Sequence, residues 1–247
     1  MKERLSFITR FLFFLCAYYT LEKGFSARGA VVMKRLVCLC MLCLLLLVPA
    51  QMAGAAENAA AAGPVNPPLL ESLRQGGYIL YIRHGEATVG EDRPDLVFTD
   101  CSTQRNLSGE GRRQAATLGE ALRRLQIPVQ FPVLASPFCR TRETAELAFG
   151  EGKVQTDPFW IKIYRLSGDT TPSEREDTLT AMTSVLEKAP PSGTNQVIVA
   201  HSFPSGVGLG EIPNLGIVVV KPRGQGSGYE IAGRIALGEL LSLRTAK

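Results

Sequence analysis

The stretch Gly76-Gly77-Tyr78-Ile79-Leu80-Tyr81-Ile82-Arg83-His84-Gly85 decides the fold. An apolar run of this length, entered from a glycine pair and left on a charge, reads as a strand buried on both faces. Gln196-Val197-Ile198-Val199-Ala200 is a second such strand, followed directly by His201. Pro132 to Ser136 is a third, shorter one. Helical patterns lie between them. Ser108 is placed to cap a helix running to Leu125, with Ala115, Leu118, Ala121, Leu122 and Leu125 on one stripe. Further helices are expected at Leu69 to Arg74, from about Cys139 to Phe149, and from Asp177 to Lys188 with Leu179, Met182 and Leu186 inward. Ile217 to Lys221 and Tyr229 to Ile235 flank a glycine-rich turn and read as a hairpin. Strands alternating with helices argue an α/β fold: a three-layer sandwich with a mostly parallel central sheet and helices on both faces.

The chain has 247 residues, 45% hydrophobic and 20% charged, values that exclude a wholly disordered, collagen-like or disulfide-dense protein. Its net charge of +4 is unevenly placed. Residues 1–55 carry seven Lys/Arg against two Glu, which leaves residues 56–247 with 20 Lys/Arg and 21 Asp/Glu. That part lacks the basic surface a nucleic-acid binder needs, so no nucleic-acid partner is expected.

Met33-Lys34-Arg35 is followed by thirteen uncharged apolar residues, Leu36 to Val48, and then by Ala53-Gly54-Ala55. This is the order of a secretory signal peptide, with Met33 as the natural start and cleavage after Ala55. The alternatives are an extended leader from Met1 and an uncleaved anchor over Leu36 to Ala56, against which Pro49, Gln51 and Gly54 argue. Residues 1–55 are therefore read as leader, 56–68 as a flexible linker rich in Ala, Pro and Asn, and 69–247 as one domain. No stable membrane insertion is expected once the signal is removed, and the location is periplasmic or secreted. Beyond the leader only Cys101 and Cys139 remain. In an oxidising compartment they form one disulfide or stay as two buried free thiols.

Both histidines of the chain, His84 and His201, stand directly after an apolar strand. Strand C-termini of a parallel sheet open onto one crevice, so two strands can deliver two imidazoles to one place. Arg83 beside His84, and Arg140 at the start of a helix, add two planar forks suited to phosphate oxygens. Together they describe a tetra-cationic or near-cationic pocket for a phosphate dianion. The blander readings are packed structural histidines and surface ion pairs for the arginines. Cysteine and serine nucleophiles fail on spacing. A cysteine nucleophile wants Arg six residues on, where Leu107 and Ala145 stand, and neither Ser202 nor Ser205 lies in a Gly-x-Ser-x-Gly elbow.

Four blocks carry a resemblance: Arg83-His84-Gly85-Glu86; Asn106-Leu107-Ser108 with Gly111 and Gln114-Ala115; Ser136-Pro137-Phe138-Cys139-Arg140 with Thr144-Ala145; and His201. In this order they resemble the histidine phosphatase superfamily, the phosphoglycerate-mutase-like fold, and the stretch Asp100-Cys101 through Gln104-Arg105-Asn106-Leu107 is most similar to its exported bacterial members. The resemblance implies that His84 is a nucleophile forming a phosphohistidine, with Arg83, Arg140 and His201 holding the phosphoryl oxygens. It implies that Gly85 lets the backbone turn beneath the phosphate, and that neither a metal nor another cofactor is required. Many members take the leaving-group proton from a Glu before the second histidine or an Asp right after it. Here Ser202 follows His201, so the second pattern is absent. Among Asp169, Glu174, Glu176 and Glu211 the last is favoured, since it follows His201 in a glycine-rich loop, while Glu86 is placed to contact the pocket.

The function expected from this is an exported, metal-independent phosphomonoesterase. Its partner would be a phosphorylated small molecule or an envelope glycolipid or sugar phosphate. The alternative is a catalytically inactive phosphate- or phosphoglycan-binding module of the same fold, because binding uses the same Arg and His set. A purely structural protein would require all four pocket residues to be bystanders.

Overall fold

A computed structural model describes residues 67–243. The leader, its start at Met33, the cleavage after Ala55 and all but the end of the linker lie outside the described residues. Helix α1 (Pro67–Gln75) leads into strand β1 (Ile79–Arg83), and β2 (Ala87–Val89) pairs with β3 (Asn106–Leu107) in a separate two-stranded sheet. Then follow α2 (Gly109–Arg124), β4 (Val129–Ala135), α3 (Cys139–Phe149), β5 (Val154–Thr156), α4 (Ile161–Arg165) and α5 (Pro172–Leu186). The chain continues through β6 (Asn195–Ala200), β7 (Ile217–Pro222), β8 (Tyr229–Ile235) and α6 (Leu237–Ser242).

The main sheet has the order β5-β4-β6-β1-β7-β8. Its first four strands are parallel, and β7 alone runs against its neighbours β1 and β8. Alternation along the central strands divides the core into two layers. Leu80, Ile82, Val197, Val199, Ile217 and Val219 face one layer, where Leu73 of α1, Leu118 and Leu122 of α2, Ala145 of α3 and Leu240 of α6 pack. Ile79, Tyr81, Ile198, Ala200, Val218 and Val220 face the other, against Trp160, Ile163 of α4, and Met182 and Leu186 of α5. The fold is therefore the expected α/β sandwich with helices on both faces. No helix among the described residues is long and apolar enough to cross a membrane.

Local signals explain most boundaries. Ser108 accepts a hydrogen bond from the Gly111 amide at 2.9 Å and caps α2. Gly119 lets α2 approach α3, because a Cβ there would meet the Ala148 backbone. Helix α5 starts five residues earlier than its apolar stripe indicates. Thr171 and Glu174 form a reciprocal capping box, and Pro172 opens the first turn. Strand β4 starts at Val129 instead of Pro132. Pro132 has no amide to offer the ladder, and the β4–β6 register shifts between Gln130 and Leu134, where it sits.

One buried side chain ties the N-terminal ends of the layers together. The Asn195 amide donates to the Leu73 carbonyl at 2.7 Å and the Pro128 carbonyl at 2.9 Å, and its oxygen accepts from the Tyr78 amide at 3.2 Å. Asn195→Ala leaves these groups dry and unpaired and is expected to cost about 2–3 kcal/mol in a urea unfolding experiment. A change within experimental error would mean that water replaces the side chain.

Candidate active site

Parallel register builds the site. Arg83 of β1 stands level with Ala200 of β6, and Ala135 of β4 level with Val199. Three neighbouring strands thus end at one edge. Just past that edge come His84, whose amide donates to the Ala200 carbonyl at 3.0 Å, then His201, and Ser136. The two imidazole rings lie 5.5 Å apart, centre to centre, inclined at 72°.

His84 is 4% exposed, and its Nδ1 lies 2.7 Å from the Gly85 carbonyl. A carbonyl only accepts, so Nδ1 carries the proton and Nε2 presents a bare lone pair. Desolvation, reinforced by the Arg140, Arg83 and Arg105 charges, pushes the His84 pKa down from 6.5 to about 3. Gly85 is required for a close approach, but to α2: a Cβ there would stand 2.9 Å from the Gly111 carbonyl. Its amide donates to Thr144 Oγ1 at 3.1 Å, and that hydroxyl donates to the Arg140 carbonyl at 2.6 Å.

His201 is held from several sides. Tyr81, buried in the sheet, donates its hydroxyl to the His201 carbonyl at 2.8 Å, and His201 Nε2 shares a 3.0 Å hydrogen bond with the Ser136 hydroxyl. The rings of Phe138 and Tyr164 lie 4.9 Å and 5.3 Å from the imidazole. Burial, followed by the neighbouring His84 and Arg140, holds its pKa well below 6.5. Both imidazoles are neutral near pH 7. The positive charge at the site therefore resides on arginines, the near-cationic of the two arrangements the sequence left open.

Arg83 donates through Nη1 to the Ile212 carbonyl at 2.8 Å, and its buried Nε has no partner among the described residues. Arg140 is fully buried. Its Nη1 and Nη2 grip Asp92 at 2.9 Å and 3.1 Å, and its Nε is likewise unpartnered. Two forks thus reach the site with a donor to spare. Arg105 is a third guanidinium, close enough to depress both imidazoles and Arg83.

The structure brings Arg83, His84, Arg140 and His201 together. It leaves Glu211 on the rim: the carboxylate is exposed and makes no hydrogen bond or ion pair with the described residues, although the next residue supplies the carbonyl that anchors Arg83. Glu174 is used in the capping box, Glu86 accepts from the Ser108 hydroxyl at 2.7 Å, and Asp169 and Glu176 are exposed. Sequence reasoning missed Asp92, Arg105, Ser136 and Tyr164 as parts of the site. Arg105 and Ser136 lay inside quoted motifs, whereas Asp92 and Tyr164 sit in stretches without pattern.

Cys101 and Cys139 are joined in a disulfide, one of the two outcomes left open by the sequence. It fastens the loop bearing Asp92 and Arg105 to the residue before Arg140. Gln104 adds a polar tie, accepting from the Cys139 amide at 2.9 Å and donating to the Val97 carbonyl at 2.9 Å. Among the described residues no group of three or more His, Cys, Asp or Glu is placed to hold a metal ion.

The two depressed histidines fix a pH dependence of stability. Their folded pKa values lie below the unfolded value of about 6.5, so protons bind the unfolded chain first. Stability is complete above that value and falls as the pH drops toward about 3. The melting temperature is expected to decline steadily between about pH 6.5 and 4, and a level profile would show that the imidazoles ionise freely in the folded state.

The family model described as "Histidine phosphatase superfamily (branch 1)" matches residues 79–194, a span that ends before His201. A search of curated protein sequences found no match. Similar solved structures include an Entamoeba histolytica phosphoserine phosphatase variant in complex with phosphoserine, at 16% identity and TM-score 0.42, covering 66% of this chain and 98% of that one. A mycobacterial glucosyl-3-phosphoglycerate phosphatase complexed with VO3 is 17% identical with TM-score 0.42, covering 64% and 98%. A phosphoglycerate mutase from Bacillus anthracis is 14% identical with TM-score 0.39, covering 68% and 97%. Across residues 79–194 this chain thus matches the model of the histidine phosphatase superfamily, branch 1, the family its motif blocks resemble.

Proposed function

We propose that the protein is a phosphomonoesterase that works through a phosphohistidine on His84 and needs no metal. One observation carries this reading: a buried, neutral imidazole with its Nδ1 proton fixed on the Gly85 carbonyl and its Nε2 free, beside two arginines that each keep an unpartnered Nε. In the first step His84 Nε2 bonds to phosphorus as the ester P–O bond breaks. In the second, water attacks phosphorus and the P–N bond breaks, releasing inorganic phosphate. Arg83 and Arg140 meet the phosphoryl oxygens in both steps, and His201 stands beside His84, its ring centre 5.5 Å away. Three guanidinium charges against the single Asp92 carboxylate leave two positive charges, a match for a monoester dianion.

The leaving group needs a proton, and Glu211 is the carboxylate put forward for it, poised on the rim one residue from Ile212. The leader sequence and the Cys101–Cys139 disulfide support an exported, periplasmic or secreted protein. The substrate class that fits is a phosphorylated small molecule, with envelope glycolipid and sugar phosphates as the first to try. A second reading is the inactive binding module. It is favoured by the fact that Asp92, the carboxylate paired with Arg140, is locked in that ion pair.

Hydrolysis of p-nitrophenyl phosphate with EDTA present tests the first reading. His84→Ala is expected to lose all turnover above background. A folded protein that binds phosphate but hydrolyses nothing would instead establish the module. If Glu211 is the proton donor, Glu211→Gln will slow alkyl phosphates by about 100-fold or more while barely touching p-nitrophenyl phosphate, whose leaving group departs unprotonated. Equal slowing of both substrates would remove Glu211 from that role.

A further inference from the structure

The bonds around Asp92 can be counted to completion. Its Oδ1 accepts from Arg140 Nη1 at 2.9 Å and from the Arg105 amide at 2.9 Å. Its Oδ2 accepts from Arg140 Nη2 and from the Tyr164 hydroxyl, both at 3.1 Å. Four donors fill the lone pairs a carboxylate offers, so Asp92 has neither a proton to give nor a free oxygen for substrate. The same count on Arg140 gives the complementary answer. Both Nη1 protons are taken, by Asp92 and by the Arg105 carbonyl at 3.2 Å, and one Nη2 proton goes to Asp92. What remains is the Nε proton and the second Nη2 proton, which in a planar guanidinium lie side by side on one edge.

We propose that Asp92 is a positioning residue of the phosphate pocket: by occupying the outer edge of Arg140 it aims the remaining Nε–Nη2 edge at the phosphoryl oxygens. This rests on the phosphate-pocket reading above. Asp92 is itself braced from two sides. Tyr164 reaches it from α4, with its ring 4.7 Å from Phe138, and the Arg140 carbon Cζ lies 4.3 Å above the Phe138 ring. The Arg105 backbone clamps both partners at once, through its amide to Asp92 and its carbonyl to Arg140. An arginine with five donors and four rotatable bonds has many ways to meet an anion. Here three of those donors are spent on protein so that two point one way.

The rival role for Asp92 is a counterion that phosphate displaces, and the two roles predict opposite signs. Titration calorimetry with inorganic phosphate and with orthovanadate is performed on the full protein, on Asp92→Asn and Asp92→Ala, and on Tyr164→Phe. Melting temperatures are recorded for each. Positioning predicts that both Asp92 variants bind the anions about 10- to 100-fold more weakly, with Tyr164→Phe weakened less but in the same direction. Vanadate should lose more than phosphate, because it presents equatorial oxygens whose direction the fork must match. Tighter binding in Asp92→Asn would overturn the proposal in favour of the counterion. A lowered melting temperature with unchanged affinities would overturn it in favour of a merely structural contact. Should Asp92→Ala fail to fold, Asp92→Asn and Tyr164→Phe decide the matter alone. Failure of the unsubstituted protein to bind either anion would sink the phosphate-pocket reading itself, an outcome distinct from all of these.

Discussion

Parallel pairing of β1 with β6 sets Arg83 level with Ala200, and so makes His84 and His201 the first residues past two adjacent strand ends. That register has one acceptable value. Both strands are buried on both faces, and a slip of one residue would exchange the Leu80 and Ile82 side for the Ile79 and Tyr81 side, bringing each set against the wrong helices. The hydrophobic sorting of two core layers therefore also sets the spacing of two imidazoles. No loop has to find that spacing, and Tyr81, in the middle of β1, bonds across to the His201 backbone and reinforces it.

Burial then decides the chemistry. A histidine left in water would divide its time between charged and neutral forms near pH 6.5. Enclosed at the strand ends and ringed by guanidinium groups, His84 and His201 surrender their charge, while arginine, which keeps its proton under any such pressure, retains its own. The result separates two duties. Uncharged lone pairs come from imidazole, and fixed positive charge comes from arginine. The protein meets the cost of gathering like charges by anchoring each guanidinium to something: Ile212 for Arg83, Asp92 for Arg140, and the Ala87 carbonyl, at 3.0 Å, for Arg105.

The parts legible in the sequence were those written in local pattern. Apolar runs gave β1 and β6, the stripe and Ser108 gave α2, and the position of each histidine after a strand gave the pocket. The capping box at Thr171 was equally local, and it moved the start of α5 ahead of the first inward apolar residue. What pattern did not carry was the partnership across the chain. Asp92 and Arg140 are 48 positions apart, and Asp92 and Tyr164 72. Asp92 lies among Glu91, Arg93 and Asp95 in a stretch that reads as ordinary solvated loop. Its role arises only when the β2–β3 connection folds over the N-terminus of α3. Tyr164 likewise belongs to a helix of five residues with no stripe to announce it.

The disulfide encloses more than the loop it fastens. Cys101 and Cys139 bracket β3, α2 and β4, so a whole helix and a whole strand of the core lie inside one covalent ring. A protease that cut the connection after α2 would separate the chain into a piece bearing Arg83 and His84 and a piece bearing Arg140 and His201. The sulfur bridge would keep those pieces attached. In a compartment rich in proteases, such a molecule can be nicked through its middle and still keep both halves of its pocket on one covalent body.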